Sequence, residues 1–542
     1  MARYDPLTLA GVIEQMAAEK PDCLVLTIEG AGIRADETRT YAQLWDRGQR
    51  LAAGLQSLNL QPGEKLGTLL ANHVELVDLM LACSLLGAVL VPIDPRTRAE
   101  KLTYMLDAAD CRGVVAGDYA LQEVLNVRDK VPGLRWVMGL RTDELAEGLT
   151  LFDRPVVLDF QDAAHAKVSA TPLPGCAPDD ALELIYTSGT TGDPKGIVLT
   201  HRRYVETAKL LPRMFGLQPD ERLYSGLSLT HANAQVITLG TALVHALPCV
   251  LSRRFSKSRL WDITRKYRCT NFTLLGGMTT AIYAEAPKPD DADNPVRTII
   301  SAGMPAAIWS DFASRFGVQL YEFYGAAEGG LTGNPPGVGP IGSIGKPIPS
   351  LDYRIVDDDG HDVVANARGE RIGELLFRPK DGTPFKVEYH RNPEASAKKC
   401  AGGWLHMGDV VRADNQGWLY FLFRKGGGIR RNGDFIDPAQ IEKTIAEDPA
   451  VDDVYVYGIP AANGVAGEKD VVAAVVPKSG GATPFDPQSV FHLCRRKLGP
   501  HLVPSHVQVL AQIPKTASEK PQDRYLIEAL QLQPETVYSQ AH

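Results

Sequence analysis

The 542-residue sequence predicts an α/β protein: a large N-terminal domain of βαβ-type sheets with a small β-rich subdomain, followed by a small mobile α+β C-terminal domain. Three observations predict it. Strand-like and helix-like segments alternate through the first half of the chain. Short strands separated by Asp/Gly turns begin at about Leu351. The run Gly426-Gly427-Gly428 then interrupts the chain before a last stretch of alternating helix and strand. Length agrees, because a single hydrophobic core stops growing well below this size.

The first helix is expected to start at Asp5-Pro6, a cap followed by a proline, with Leu9, Val12, Ile13 and Met16 at helical spacing. Leu44, Gly48, Leu51, Ala52 and Leu55 mark a second helix. Strand-like 66–70, helix-like 73–86, strand-like 88–93, helix-like 101–109 and strand-like 113–116 follow. Alternation at this spacing implies parallel sheets covered by helices. The pattern resumes at 236–245, 260–267, 272–275 and 308–316, and short strands are expected at 351–357, 373–378 and 417–423. Three consecutive glycines restrict the backbone least, so 426–428 reads as a hinge between domains 1–425 and 429–542. Beyond it, 438–447, 451–458, 471–476 and 487–498 alternate helix and strand.

Composition removes several function classes. A net charge of −8 argues against a nucleic-acid binder, which is usually basic. The eight cysteines are scattered with no C-x-x-C pair, as expected for reduced thiols in the cytoplasm. No histidine pair sits at metal-ligand spacing, and the start M-A-R-Y-D-P-L lacks the apolar core of a signal peptide. The longest apolar run, 79–93, contains Ser84, Gly87 and Pro92 and is too short for a membrane span. It reads as a buried helix passing into a buried strand. The expected partners are therefore small molecules, with no nucleic acid and no membrane span; a homodimer is left open.

The most informative stretch is Tyr186-Thr187-Ser188-Gly189-Thr190-Thr191-Gly192-Asp193-Pro194-Lys195-Gly196, lying between strand-like 181–186 and 197–199. Glycines let backbone N–H groups turn toward an anion; hydroxyls add donors and Lys195 adds charge. This composition reads as a phosphate cradle, with an ordinary Gly/Ser/Thr turn as the bland alternative. It is not a Walker A loop, whose G-x-x-x-x-G-K-[ST] spacing fits no window here.

The run resembles the phosphate-binding signature of the adenylate-forming enzymes: acyl- and aryl-CoA ligases, luciferases and peptide-synthetase adenylation domains. Four more motifs resemble that family in the right order. Tyr324-Gly325-Ala326-Ala327-Glu328 resembles aromatic-Gly-x-Thr-Glu; the resemblance implies a ring stacked on adenine and a glutamate holding Mg²⁺, with Ala327 replacing a hydroxyl that reaches the α-phosphate. Trp404-Leu405-His406-Met407-Gly408-Asp409 resembles x-x-T-G-D, implying that Asp409 accepts from both ribose hydroxyls, with Met407 at the usual threonine. Arg424, the hinge and the following Ile429–Pro438 segment resemble R-x-K-D-x-I-x-x-x-G-x-x-I-x-P, with Gly427 at the usual hinge Asp or Lys. Arg424, Lys425, Arg430 and Arg431 either neutralise ATP or CoA phosphates or form a solvated basic loop; Arg430, Arg431 and Gly433 are the CoA-side candidates. Pro514-Lys515-Thr516-Ala517-Ser518-Glu519-Lys520 resembles P-K-T-x-x-G-K and makes Lys520 the catalytic lysine.

On the substrate side, the 228–235 run, with His231 and Asn233, is similar to the loop bordering the acyl pocket. Ser301-Ala302-Gly303-Met304-Pro305 resembles the wall between adenine and acyl group. The small residues Gly276, Gly277, Ala302 and Gly303 suggest room for more than acetate. The H-x-N-A-Q string and the R-R-x-G-x-x-I segment look most like the carnitine/crotonobetaine-CoA ligase branch. The resemblance implies an AMP-forming acid–CoA ligase using ATP, Mg²⁺ and CoA. In it, Thr187 and the loop Ser188, Gly189, Thr190, Thr191, Gly192 and Lys195 act with Glu328 and Lys520 on the phosphates, and the C-terminal domain swivels between two half-reactions. Two other readings remain: an acyl-AMP ligase that loads a carrier protein, and a non-catalytic nucleotide-binding relative.

Overall fold

The structure, a computed structural model, describes residues 3–31, 34–142, 150–154, 156–168, 173–187, 193–425, 429–431, 434–436, 438–462, 469–478, 485–498, 502–516 and 521–540. It divides into two compact units, one of residues 1–273, 295–297 and 387–398, the other of 274–294, 298–386 and 399–542.

In the first unit, the apolar run becomes a helix and a strand, as its composition implies. The helix Val74–Leu86 buries every residue except Glu75, Asp78 and Ser84 included, so it lies in the core. Gly87, at φ +71°, ends it in the left-handed conformation, and Val89–Pro92 follows as a strand buried on both faces. That strand belongs to a seven-stranded sheet ordered Val157–Asp159, Trp136–Leu140, Cys111–Gly117, Lys65–Leu69, Val89–Pro92, Ala181–Thr187 and Lys195–Thr200. All pairs are parallel except the last, an antiparallel hairpin. A second sheet runs through Glu37–Thr40, Leu24–Glu29, Cys249–Ser252, Leu223–Ser225 and Asn271–Leu275.

Two local expectations change. The first helix starts at Leu9, because the Thr8 side chain accepts from Gly11 N; Asp5 instead closes the preceding turn through Leu7 N. The 236–245 segment is not one α-helix. Asn233–Gly240 winds as a π-helix before Thr241–His245 continues as α, and such windings are frequent at functional sites.

In the second unit, Thr298–Ala302 pairs parallel with Gln319–Ala326, which turns back into Gly329–Asn334. The β-rich part is a four-stranded antiparallel sheet of Leu351–Val356, Arg371–Pro379, Leu405–Ala413 and Leu419–Arg424. The C-terminal part has a sheet of Val451–Pro460, Lys469–Pro477, His506–Val509 and Val537–Ser539. Val471, Ala473 and Val475 face the helices 438–446 and 487–497, while Val472, Ala474 and Val476 face Leu526 of Asp523–Leu532. A sheet buried on both faces explains the unbroken V-V-A-A-V-V run. No helix among the described residues is long and apolar enough to cross a membrane.

Candidate active site

The first unit carries the phosphate-loop candidates. Strand Ala181–Thr187 and strand Lys195–Thr200 pair so that Thr187 stands opposite Lys195, and these two residues close the mouth of the loop. Ser188, Gly189, Thr190, Thr191 and Gly192 lie outside the described residues. The hairpin is braced from the far side: Val198 N donates to Glu388 O, His390 N donates to Gly196 O, and Lys195 Nζ sits 5.6 Å from the centre of the Tyr389 ring. That cation–π contact holds the ammonium beside the loop mouth. No motif pointed to Tyr389.

The same unit carries the substrate-side turn. His231 Nδ1 accepts from Asn233 N at 3.2 Å, and His231 N donates to Ser228 O. Gln235 Nε2 donates to Leu229 O at 2.6 Å, and Leu229 N donates to Asn72 Oδ1 at 2.8 Å. Asn72 in turn donates to the carbonyls of Leu227 and Ser252. Buried amide side chains thus take the place of regular structure across 227–231.

The second unit carries the nucleotide candidates, and here the motifs converge. Tyr324, on strand Gln319–Ala326, donates its hydroxyl to Asp409 Oδ2 at 2.5 Å although 85 residues separate them. Asp409 is 4% exposed, and the Arg424 guanidinium lies 3.4 Å from its Oδ1. That distance makes an ion pair rather than a hydrogen bond, so Oδ1 keeps unused acceptor capacity. Asp409 and Arg424 are register partners in neighbouring strands, which makes the pair a product of sheet pairing. The Met407-Gly408-Asp409 motif is therefore part of the strand Leu405–Ala413, with Gly408 at φ +74°.

Glu328 is buried nearby, with Lys399 Nζ at 4.0 Å from its Oε1. Lys399 also donates to Met407 O at 3.3 Å. Burial pushes the Lys399 ammonium down, and Glu328 pulls it back up. Met407 is 1% exposed, and its Sδ would lie only 2.8 Å from a Cβ at Gly330. It packs a core position, which gives the missing threonine a structural reason. Lys425, a phosphate candidate, is tied to Glu374 Oε2 at 3.0 Å, and that bond raises its pKa. Arg431 donates to Val503 O at 2.6 Å. Arg430 pairs its backbone with Phe435. Gly433, the hinge 426–428 and Lys520 lie outside the described residues.

The Ala302–Gly303 wall is built on a buried carboxyl. Glu322 accepts from Gly303 N at 2.6 Å and from Met304 N at 3.1 Å. Burial pushes Glu322 up to about 8, against the lowering effect of those two N–H groups. Gly303 takes φ +98°, and a Cβ at Gly276 would meet Gly303 O at 2.6 Å. Gly276 is thus required by a close backbone approach rather than by space for a substrate. Gly277 is exposed at the start of the helix Gly276–Tyr283. Gly325 also lies in a tight place, 2.7 Å from Leu331 at its absent Cβ, and Ala327 is half-buried between it and Glu328.

Comparison with known proteins decides the family. Residues 13–381 match the AMP-binding enzyme family, and residues 440–520 match the AMP-binding enzyme C-terminal domain. The chain belongs to the AMP-binding enzyme family. A medium/long-chain-fatty-acid–CoA ligase, FadD17, of Mycobacterium marinum is 30% identical over 91% of this chain and 92% of its own. Long-chain fatty acid transport protein 1 of Homo sapiens is 28% identical over 95% of this chain and 81% of its own. Among solved structures, the anthranilate CoA ligase AuaEII with anthranoyl-AMP superposes with a TM-score of 0.82 at 23% identity, covering 97% of this chain and 98% of that one. ATP-bound MatB from Rhodopseudomonas palustris gives 0.76 at 23% identity, covering 96% and 99%. This AMP-binding enzyme thus shares their α/β fold.

Proposed function

We propose that this AMP-binding enzyme is an ATP-dependent acid–CoA ligase: carboxylate, ATP and CoA give acyl-CoA, AMP and pyrophosphate through an acyl-adenylate. The observation that carries it is the Tyr324–Asp409 pair beside buried Glu328, residues of two motifs from distant parts of the chain meeting in one place. Tyr324 offers a ring for adenine, and Asp409 Oδ1 has acceptor capacity for a ribose hydroxyl. Glu328 is a hard oxygen donor, the type that suits Mg²⁺. It would hold that ion, which when bound neutralises charge on phosphate oxygens.

In the first half-reaction the substrate carboxylate attacks the α-phosphorus and pyrophosphate leaves. Thr187, the 188–192 backbone, Lys195 and Lys520 donate to the phosphate oxygens as charge develops. In the second, the CoA thiol attacks the adenylate carbonyl and AMP leaves. The assignment of 1–425 and 429–542 as domains that swivel about 426–428 belongs to this proposal, as do the CoA-side residues 430, 431 and 433 and the acid-side residues 231, 233 and 277. The cytoplasm is proposed as the compartment because no disulfide is formed among the described residues.

The test is Lys520→Ala. Loss of one preorganised donor to developing charge costs about 10²–10³ in rate. Acid-dependent pyrophosphate release should fall by that factor, while supplied acyl-adenylate plus CoA should give thioester at near wild-type rate. Equal loss in both steps overturns the swivel. The acids to screen first are the medium- and long-chain fatty acids and the aryl acids named for its relatives, and a carrier protein in place of CoA tests the alternative acceptor.

A further inference from the structure

The segment that presents Asp409 is a bulge in the β-rich sheet. Between the pairs Glu374–Val410 and Leu376–His406, Leu375 alone faces Met407, Gly408 and Asp409. Bulges re-aim side chains and interrupt strand pairing beside active sites. Met407 has no partner in that register, and its carbonyl accepts from Lys399 Nζ at 3.3 Å. Lys399 ends the helix Pro393–Lys399, and its ammonium also lies 4.0 Å from Glu328 Oε1. That separation exceeds a hydrogen bond, so one of the three N–H groups is used and two are open among the described residues. The neighbouring cations differ. Arg424 pairs with Asp409 and Lys425 with Glu374, and their side chains are 54% and 42% exposed, against 13% for Lys399. Open donors in such a dry place are satisfied poorly by water and strongly by an anion.

We propose that Lys399 is a further nucleotide-binding residue, whose open N–H groups donate to phosphate oxygens of bound ATP. This rests on the reading of Tyr324, Asp409 and Glu328 as the nucleotide site. Position supports it. Met407 lies on the same strand as Asp409, two residues before it, so Lys399 is pinned to the strand that carries the ribose candidate. Its ammonium stands next to Glu328, the candidate for the phosphate end. Lys399 thus touches both ends of the proposed site. Charge points the same way. At close range the Glu328 carboxylate by itself repels a triphosphate, and the adjacent ammonium offsets that charge while adding donors. Lysine suits the task, because its compact, rotatable ammonium meets phosphate as a point charge.

The experiment titrates ATP and adenosine, in EDTA so that Glu328 holds no metal, into wild type, K399M, E328Q and the double variant E328Q/K399M. K399M keeps the side-chain stem and loses the donors. ATP should bind K399M about ten- to a hundredfold more weakly than wild type, with adenosine binding unchanged. The same loss should separate E328Q/K399M from E328Q, because donation to phosphate does not need the carboxylate. If the double variant binds ATP as tightly as E328Q, Lys399 acts only by offsetting Glu328, and the proposal is overturned. It is overturned too if K399M binds ATP as wild type does, or loses adenosine as far as ATP. Should K399M not fold, wild type treated with an amine-acylating reagent decides by peptide mass spectrometry. ATP should then protect Lys399 severalfold more than adenosine does, and equal protection overturns the proposal. Neither acid nor CoA is present, so failure of the ligase reading leaves these outcomes unchanged. A wild type that binds neither ATP nor adenosine overturns the nucleotide site itself, and Lys399 with it.

Discussion

Glu183 and Glu322 are both buried, both stand on strands leading to candidate nucleotide residues, and both are pushed up to about 8 by burial. They differ in what meets them. Glu322 receives two backbone N–H groups and so fixes the Gly303 wall by accepting. Neither oxygen of Glu183 has a hydrogen-bond partner among the described residues. Equal burial thus leaves one carboxyl satisfied by backbone N–H groups and the other without a hydrogen bond.

The largest effect expected is at the acceptor. Glu322→Leu leaves Gly303 N and Met304 N unsatisfied in the interior, at about 1–3 kcal/mol each. Unfolding by denaturant should show a loss of about 2–6 kcal/mol. Glu322→Gln should be damaging too, because one of its two terminal atoms is a donor facing an N–H, whereas the same change at Glu183 should be mild. If both glutamine variants lose the same stability, the distinction between the two sites collapses.

Next comes pH. Each carboxyl binds a proton in the native state that the unfolded chain gives up above about 4.5. Both therefore stabilise fully on the acid side, and that stability is lost as pH rises to about 8, with a slope of up to about 1.4 kcal/mol per pH unit for each. Glu183→Gln should reduce the slope without lowering the acid-side plateau. Glu322→Gln should reduce the slope and lower the plateau as well. A wild-type stability that is flat between about pH 5 and 8 would show that neither carboxyl keeps its proton.

The same contrast explains what could be read from the sequence. The parallel sheets and their covering helices follow from the alternation of apolar runs. Candidates Tyr324, Glu328 and Asp409 stand out because each sits in a short motif of unusual composition. Glu183 was invisible inside A-L-E-L-I-Y, where one polar residue in an apolar strand reads as a surface position. Tyr389, Lys399 and Glu322 were missed because their roles depend on contacts with residues far away in sequence or on backbone N–H groups, neither of which leaves a local signature. The π-helix was missed because its extra residue per turn blurs the helical spacing of Val236, Leu239 and Leu243. Gly276 was read as space for a substrate; a glycine demanded by a neighbouring carbonyl has the same letter.

The smallest effect is expected just beyond the strand that Glu322 supports. Gln319–Ala326 carries Glu322 and Tyr324, and Ala327 follows it directly before buried Glu328. The resemblance places a hydroxyl at 327 within reach of the α-phosphate, and alanine cannot supply it. Ala327→Thr should therefore lower the ATP KM by no more than one neutral hydrogen bond, about 0.5–1.5 kcal/mol, with unfolding unchanged. Steady-state pyrophosphate release at varied ATP measures it. Because Glu322 holds the neighbouring wall by two N–H bonds, the backbone should accept the larger side chain without shifting. A Thr variant that loses adenylation while staying folded would mean that the pocket has closed around alanine. The support from Glu322 would then stop short of residue 327.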